Sequence, residues 1–332
     1  MSDEVNNLIQ AGRLAHDIGK DLFDLVKELL EKKKSNLDVE YTEDVVKNGV
    51  PKTAILVGDN PKGTVYIDDS INRVKSGESS IEEEAERITK FIEMNVNDEG
   101  MKEARDLANE LENPDKSKIH LQVVNSELNK DLLEKAPHMD ICGDLSLIAR
   151  YRFNDNASTI ITDLLASHMG LTGQEVLEAG QINAKHEQYT VKNMGEMIAE
   201  MMGGMPMDEA TEMFPQEQQM LVVTNESKVH GATGIFTNPE LREEVAEKLG
   251  GSDFWILPSS LHEVICVPKD SISLEDAQNM VNEVNHNELL PEEILSSSVY
   301  GVNAHTLKVT NPFQKEDMKE IAGTVRKAAA GR

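Results

Sequence analysis

The chain has 332 residues, of which 39% are hydrophobic, so it is long enough to bury the cores of two or three domains. Its formal net charge is −27, which disfavours direct binding to nucleic acid or to an anionic membrane, because both need basic surfaces. Its apolar runs fall short of the roughly 20 residues of a membrane helix, and its N-terminus lacks a signal-peptide pattern. Cys142 and Cys266 both lie in apolar, strand-like segments typical of free thiols. We therefore expect a cytoplasmic protein.

The N-terminal segment, residues 1–36, is predicted to be one amphipathic helix. Apolar residues recur at spacings of three and four over Val5–Lys34, and a basic run suits the negative C-terminal end of a helix. Within it, His16-Asp17 matches the metal-ligating dyad of HD phosphohydrolases. That fold takes further ligands from a preceding helix, for which the chain has little room, so we favour an ordinary helix face.

Residues 37–190 are predicted to form an α+β domain of mixed elements. Asn48-Gly49 predicts a hairpin, with Val50-Pro51 lengthening its turn. Thr172 is the expected cap of the last helix. The predicted strands are Val39–Val46, Thr53–Gly58, Thr64–Ile67, Lys118–Val124, Ile141–Phe153 and Thr159–Leu165, and the predicted helices span 79–94, 99–111, 126–135 and 171–184.

Residues 191–215 are predicted to be a methionine-rich helix, Val191–Met202, followed by a linker that marks a domain boundary. Methionines can line an adaptable partner groove or bind copper(I). Glycine and proline punctuate the segment as they punctuate linkers, which favours the linker.

Residues 216–311 are predicted to form a C-terminal α+β domain, an antiparallel sheet with packed helices, followed by a helix in 312–332. Short strand pairs followed by helices favour the α+β class over a doubly wound parallel sheet. The predicted strands are 219–224, 232–236, 254–257, 264–267 and 299–309, and the predicted helices are 239–249 and 273–285.

Several short segments of this sequence resemble those of a bacterial family that is known only as a domain of unknown function. They are LVVTN from Leu221, GATGI from Gly231 and ILPSSLHEVICVP from Ile256, and upstream segments from Asp131 to Gly180 fit as well. The resemblance spans most of the chain. It implies a soluble bacterial protein with a link to mobile elements, and it brings no reaction, cofactor or catalytic residue.

The polar insert between the two apolar arms of FWILPSSLHEVICV is the main candidate site. Ser260, His262 and Glu263 are the residue types of a hydrolase triad, in which a histidine takes the serine proton and a third group orients the histidine. No nucleophile elbow or glycine-rich oxyanion loop accompanies them, so a polar turn is the competing interpretation. Ser259, Thr224 and Asn225 complete the predicted binding residues, and we expect neither a metal nor a cofactor.

The leading hypothesis for function is a non-enzymatic binding or regulatory protein that acts through contacts with an unidentified protein partner. It depends on the acidity, on the methionine-rich segment and on the incomplete catalytic set. One alternative is a hydrolase or metal enzyme centred on Ser260, His262 and Glu263. Another is an acidic nucleic-acid mimic that inhibits a basic nucleic-acid-binding protein. The sequence leaves these alternatives and the oligomeric state open.

Overall fold

A computed structural model describes residues 14–58, 63–95, 109–154, 157–201, 209 and 220–313. The chain divides into two compact units, Met1–Asn113 and Pro114–Arg332. Its strands form three antiparallel sheets among helices, which confirms the predicted α+β class, with a helix near the N-terminus and a sheet in the C-terminal part. None of the described helices combines the length and apolar character needed to cross a membrane.

The first unit is a three-stranded meander, in the order β1-β2-β3, packed against helices. An amphipathic helix is present as predicted, but it begins at Ala15, because Leu14 is extended, and residues 1–13 of the predicted span lie outside the described residues. It buries Ile18, Leu22, Val26 and Leu30 at the predicted spacing of three and four. These side chains join apolar residues of the sheet in one core. The elements are α1 (Ala15–Lys32), β1 (Val39–Lys47), β2 (Val50–Val57), β3 (Gly63–Tyr66), α2 (Asp68–Ser76) and α3 (Ile81–Asn95).

The hairpin of the first unit is tighter than predicted. Asn48 and Gly49 both have positive φ, at 47° and 75°, as a two-residue hairpin turn requires. Strand β2 therefore starts at Val50, and Pro51 lies opposite Val46 inside the ladder. Pro51 is tolerated there because β3 pairs with β2 only from Ala54 onward, so its missing N–H faces no partner strand.

Helix α2 was absent from the prediction. Its sequence, DDSINRVKS, is short and polar, and only Ser70, Ile71 and Val74 are buried. Gly77 ends it in the left-handed conformation, at φ 76°. The predicted helix at 99–111, most of the predicted linker up to 215 and the predicted helix within 312–332 fall largely outside the described residues.

The second unit combines two sheets. In the first, β6 pairs with β4 on one side and with β5 and then β7 on the other, and in the second the order is β13-β12-β10-β11-β9-β8. Apolar side chains of both sheets share one core, and α10 adds to a second cluster with Leu257 and Val267. The strands are β4 (Ile119–Asn125), β5 (His138–Cys142), β6 (Leu145–Asn154), β7 (Ala157–Ile160), β8 (Tyr189–Asn193), β9 (Leu221–Asn225), β10 (Phe254–Pro258), β11 (Glu263–Pro268), β12 (Tyr300–Val302) and β13 (Val309–Thr310).

Side chains cap several helices of the second unit, and Thr172 does so as predicted. Thr172 forms a capping box with Glu175, and the side chains of Asn238 and Ser273 cap two further helices. The helices are α4 (Lys130–Leu133), α5 (Asp163–His168), α6 (Gly173–Ala184), α7 (Met194–Met201), α8 (Thr233–Thr237), α9 (Pro239–Lys248) and α10 (Leu274–Asn287).

Three predicted strands of the second unit are wrong in part or in full. The segment Ile141–Phe153 is a hairpin rather than one strand, because Gly143, at φ 61°, turns the chain between β5 and β6. The strand predicted over Thr159–Leu165 ends at Ile160, and Thr162 caps α5. The run Ala232–Phe236 is helical, since a short apolar run fits a buried helix as well as a strand.

Two predicted helices also differ. The helix predicted over Ser126–Lys135 is a single turn, α4. The helix predicted from Val191 begins at Met194, because the preceding residues form strand β8, in which Val191 lies opposite Val223 of β9. Strands β8 and β9, which precede and follow the predicted linker in sequence, therefore pair in one sheet.

Candidate functional site

The polar insert of the candidate site is a turn held by its own serines. The Ser260 hydroxyl oxygen accepts hydrogen bonds from the backbone N–H groups of His262, at 2.9 Å, and Glu263, at 3.2 Å. The Ser259 hydroxyl donates to the carbonyl of Glu263, at 3.1 Å. Both serines are buried. Their hydroxyls thus satisfy backbone groups of the turn, which is the ordinary role of serine in tight turns.

The imidazole ring of His262 is held by partners other than the Ser260 hydroxyl. Its Nδ1 accepts the backbone N–H of His230, at 3.2 Å, and the two imidazole rings stack with centroids 5.8 Å apart. The Thr224 hydroxyl donates to the His262 carbonyl, at 2.7 Å. Glu263 lies opposite Thr224 in the strand ladder. Within the described chain, no hydrogen bond joins the Ser260 hydroxyl to the His262 ring, so these residues meet without forming a hydrolase triad.

A cleft of about 270 Å³ opens beside this turn, and charged and polar side chains make up much of its lining. His120 on β4 lies opposite Arg150 on β6, and Arg152 follows two residues later on the same face of that strand. Glu187 precedes β8, whereas Asn225 ends β9. The main lining residues are His120, Arg150, Arg152, Glu187, Asn225 and His230.

Arg150 is a partly buried cation without a carboxylate partner in the described parts of the chain. Its Nε donates to the Ser158 hydroxyl at 3.1 Å, its Nη1 to Gln122 Oε1 at 3.2 Å, and its Nη2 to the Ser158 carbonyl at 3.3 Å. These acceptors are neutral. Burial, reinforced by the nearby Arg152, lowers the pKa of the Arg150 guanidinium. Arginine stays charged in proteins, so the described residues around Arg150 leave its positive charge without a counter-charge.

Glu187 is the acidic residue among the described residues that line the cleft. Its Oε1 accepts hydrogen bonds from Asn225 Nδ2, at 3.0 Å, and Arg152 Nη2, at 3.3 Å, and its Oε2 accepts the Tyr189 hydroxyl, at 3.1 Å. Burial acts to raise its pKa, but His120, Asn225 and Arg152 together hold the pKa of Glu187 at about 2. The carboxylate is therefore ionised near neutral pH.

Two histidines of the cleft differ in environment. His120 Nδ1 is buried and has no hydrogen-bond partner in the described chain, and it lies 3.9 Å from Glu187 Oε2, too far for a hydrogen bond. Burial, with the positive charge of Arg150 next in weight, lowers the pKa of His230 to about 3. His230 is therefore neutral near neutral pH.

The loop that bears His230 is fixed tightly. Asn225 Oδ1 accepts the backbone N–H of Val229, at 3.0 Å, and Asn225 Nδ2 donates to the Val229 carbonyl, at 2.8 Å. His230 has a φ of 55°, and Lys228 has a φ of 54°, a region that such residues seldom occupy. A Cβ at Gly231 would lie 2.4 Å from the Asn225 nitrogen, so glycine is required there. Such locally strained backbone is typical of functional loops.

Metal ligation finds little support in the described residues. They contain no group of three or more histidine, cysteine, aspartate or glutamate side chains placed to hold a metal ion. His16 of the HD-like dyad is half-exposed and hydrogen-bonds Glu43 at 2.7 Å. Cys142 and Cys266 are free thiols, and burial raises the pKa of Cys266.

Of the site residues predicted from the sequence, Asn225 lines the cleft. Ser259, Ser260, His262 and Glu263 belong to the adjoining turn, and Thr224 lies on β9. The cleft arginines had a usable signal. Arg150 and Arg152 stand two apart in a strand whose other residues are largely apolar, in a chain with only 33 basic residues against 60 acidic ones. An arginine in a buried strand needs partners or a ligand.

The comparisons with known proteins give a family but no activity. A family model described as a family of unknown function, DUF5688, matches residues 21–303. No curated protein and no solved structure matches the chain. Because the match covers most of the chain, from α1 to β12, this protein belongs to DUF5688, a family of unknown function.

Proposed function

We propose that this protein binds a small anionic ligand in the cleft of its second unit. The observation that supports the proposal is Arg150, whose partly buried guanidinium has only neutral hydrogen-bond partners in the described chain. Partial removal of a charge from water without a counter-charge is unfavourable, and a bound anion would offset that cost.

The charge balance of the cleft favours an anion over a cation or a neutral ligand. In the described part of the lining, two guanidinium groups face one ionised carboxylate, that of Glu187, which leaves one positive charge when the histidines are neutral. This local excess contrasts with the net charge of −27 for the whole chain. Arginine also presents its N–H groups in a planar fork that matches carboxylate and phosphate oxygens.

The size and lining of the cleft favour a small molecule. Its volume, about 270 Å³, lies just below the usual range of roughly 300–1,000 Å³ for small-molecule pockets. Leu121 and Val229 add apolar surface beside the charged groups. A nucleic-acid strand would meet strong repulsion from the acidic remainder of the chain.

Calorimetric titration of the purified full chain with sulfate, a phosphate monoester, acetate and a neutral sugar tests the proposal. We expect saturable binding of at least one anion, weakened by added salt and lost or strongly weakened in Arg150→Gln. Lys116→Gln removes the same charge from an exposed position outside the cleft and is the matched control. Equal affinity in Arg150→Gln and Lys116→Gln would contradict the proposal.

The earlier functional hypotheses stay predictions. A protein partner, a bacterial and cytoplasmic setting and a link to mobile elements depend on composition and resemblance, and acidic mimicry depends on charge alone. The hydrolase hypothesis finds no support in the hydrogen bonds of Ser260, which serve the turn. Binding of a small anion is compatible with a regulatory protein, in which the ligand would act as an effector.

A further inference from the structure

Among the described lining residues, the fixed charges of the cleft balance a ligand with one negative charge and leave a second one unbalanced. Arg150 and Arg152 are permanently charged, and Glu187 cancels one of them. A ligand with two negative charges therefore calls for one more positive charge at the site. Histidine is the side chain that gains a proton near neutral pH at small cost.

His120 is placed to gain that proton. Its Nδ1 is buried without a hydrogen-bond partner in the described chain and faces the Glu187 carboxylate at 3.9 Å. A buried unsatisfied nitrogen is unfavourable. A protonated ring carries N–H groups on both nitrogens, so it would turn one toward Glu187 and offer the other to a ligand.

Three charged groups among the described lining residues face His120. Arg150 and Arg152 lie on β6, and Glu187 lies in the segment before β8. His230, from the loop after β9, is held neutral by burial and by Arg150. A bound dianion would add negative charge beside the His120 ring, and an opposite charge a few ångströms away favours a charged imidazole.

We propose that the ligand is a tetrahedral dianion, such as the phosphate group of a monoester, and that His120 takes up one proton when it binds. This inference rests on the proposed anion binding at the same cleft. It adds the chemical class of the ligand and a role for one residue.

Calorimetric titration with sulfate at pH 7.5, repeated in buffers of different ionisation enthalpy, measures the protons taken up on binding. Sulfate does not itself titrate in this range, so the protein must supply the titrating group. We expect about one proton per sulfate for the wild type, since one imidazole changes state. We expect His120→Gln to bind more weakly with uptake near zero.

Two variants guard against a merely structural effect. His286→Asn, on the exposed surface of α10 and outside the residues that line the cleft, is the control that retains the uptake. His120→Lys supplies a fixed charge, so it binds sulfate without proton uptake. Circular dichroism checks that each variant is folded.

The outcomes separate this inference from the proposal beneath it. Sulfate binding without proton uptake in the wild type, uptake that persists in His120→Gln, or binding of acetate but not of sulfate would overturn the inference and leave anion binding standing. Failure of every anion to bind the wild type would overturn both.

Discussion

Each unit of this protein contains a cluster of two arginines and one glutamate, and the contacts within the two clusters differ. In the first unit, the Arg73 guanidinium forms a bidentate pair with the Glu84 carboxylate, in which Nε donates to Oε1 at 2.9 Å and Nη2 donates to Oε2 at 2.8 Å. Arg87 reaches the same carboxylate at 3.0 Å and is otherwise exposed to solvent. Every charge is therefore compensated by the fold or by water.

In the second unit, the corresponding cluster is left open. Arg152 makes a single contact with Glu187, at 3.3 Å, and Arg150 has no carboxylate partner among the described residues. Yet the pKa of Glu187 and the pKa of Glu84 are both held at about 2. A lowered carboxylate pKa thus does not distinguish a stabilising ion cluster from a binding site. The distinguishing feature is whether each arginine has a carboxylate partner.

The largest expected effect is the loss of stability in Glu84→Gln. The change leaves Arg73 and Arg87 without the carboxylate that they share, and breaking a buried pair costs about 3 kcal/mol. Urea denaturation measures the free energy of unfolding. Glu86→Gln removes an exposed carboxylate from the same helix and is the control. If Glu84→Gln and Glu86→Gln lose the same unfolding free energy, the interpretation of this cluster as a stabilising ion cluster is contradicted.

The same cluster sets a pH dependence with a defined sign. The pKa of Glu84 is lowered from 4.5 to about 2 in the folded protein, chiefly by the Arg73 hydrogen bonds. Its contribution is full above pH 4.5 and disappears as the pH falls toward 2. The difference in unfolding free energy between the wild type and Glu84→Gln should therefore shrink over that window. A constant difference would refute this prediction.

The next effect concerns the open cluster and appears in affinity. Arg150→Gln removes a charged hydrogen-bond donor worth about 1.5–3 kcal/mol, which weakens sulfate binding about tenfold or more. Its unfolding free energy should fall less than that of Glu84→Gln, because Arg150 contacts only neutral acceptors in the described chain. Calorimetry and urea denaturation measure the two quantities, with Lys116→Gln as control. A large stability loss with unchanged affinity would make this cluster structural too.

A smaller effect of opposite sign is expected for Glu187→Gln. Removing the carboxylate raises the positive charge of the cleft, and a unit charge about 4 Å away contributes about 1 kcal/mol even when it is screened as in bulk water. Sulfate affinity should therefore rise several-fold, whereas the amide oxygen can still accept from Asn225 and the amide nitrogen can donate to the Tyr189 hydroxyl oxygen. Titration against the wild type at one salt concentration measures the change. A fall in affinity would show that Glu187 positions the arginines more than it opposes the anion.

The smallest effect separates the cleft from the neighbouring turn. Ser260→Ala removes a hydroxyl that accepts two backbone N–H groups, so stability should fall by about 1 kcal/mol while sulfate affinity stays unchanged. Ser252→Ala, in the loop before β10, is the control for stability. A loss of affinity in Ser260→Ala would place the turn within the binding site.

Sequence reasoning succeeded where the determining contacts are local. Caps at Thr172, Asn238 and Ser273 act within three residues, and their helices begin as predicted. The Asn48-Gly49 pair specifies its hairpin because both residues accept positive φ. It failed at Ala232–Phe236, where the apolar run is helical and the Thr233 hydroxyl accepts the backbone N–H of Val123, 110 residues away in sequence.

The sequence by itself determined the α+β class, most strands and helices and the polar turn at Ser260, because caps, turn residues and periodicity act over a few residues. Only the tertiary structure decided where the charged cleft lies. Sheet pairing brings His120 opposite Arg150, and the start of β8 and the end of β9 add Glu187 and Asn225. The spacing of these residues along the sequence does not predict that they meet. The register and packing of distant strands set the distances between their side chains, and local conformational preferences do not.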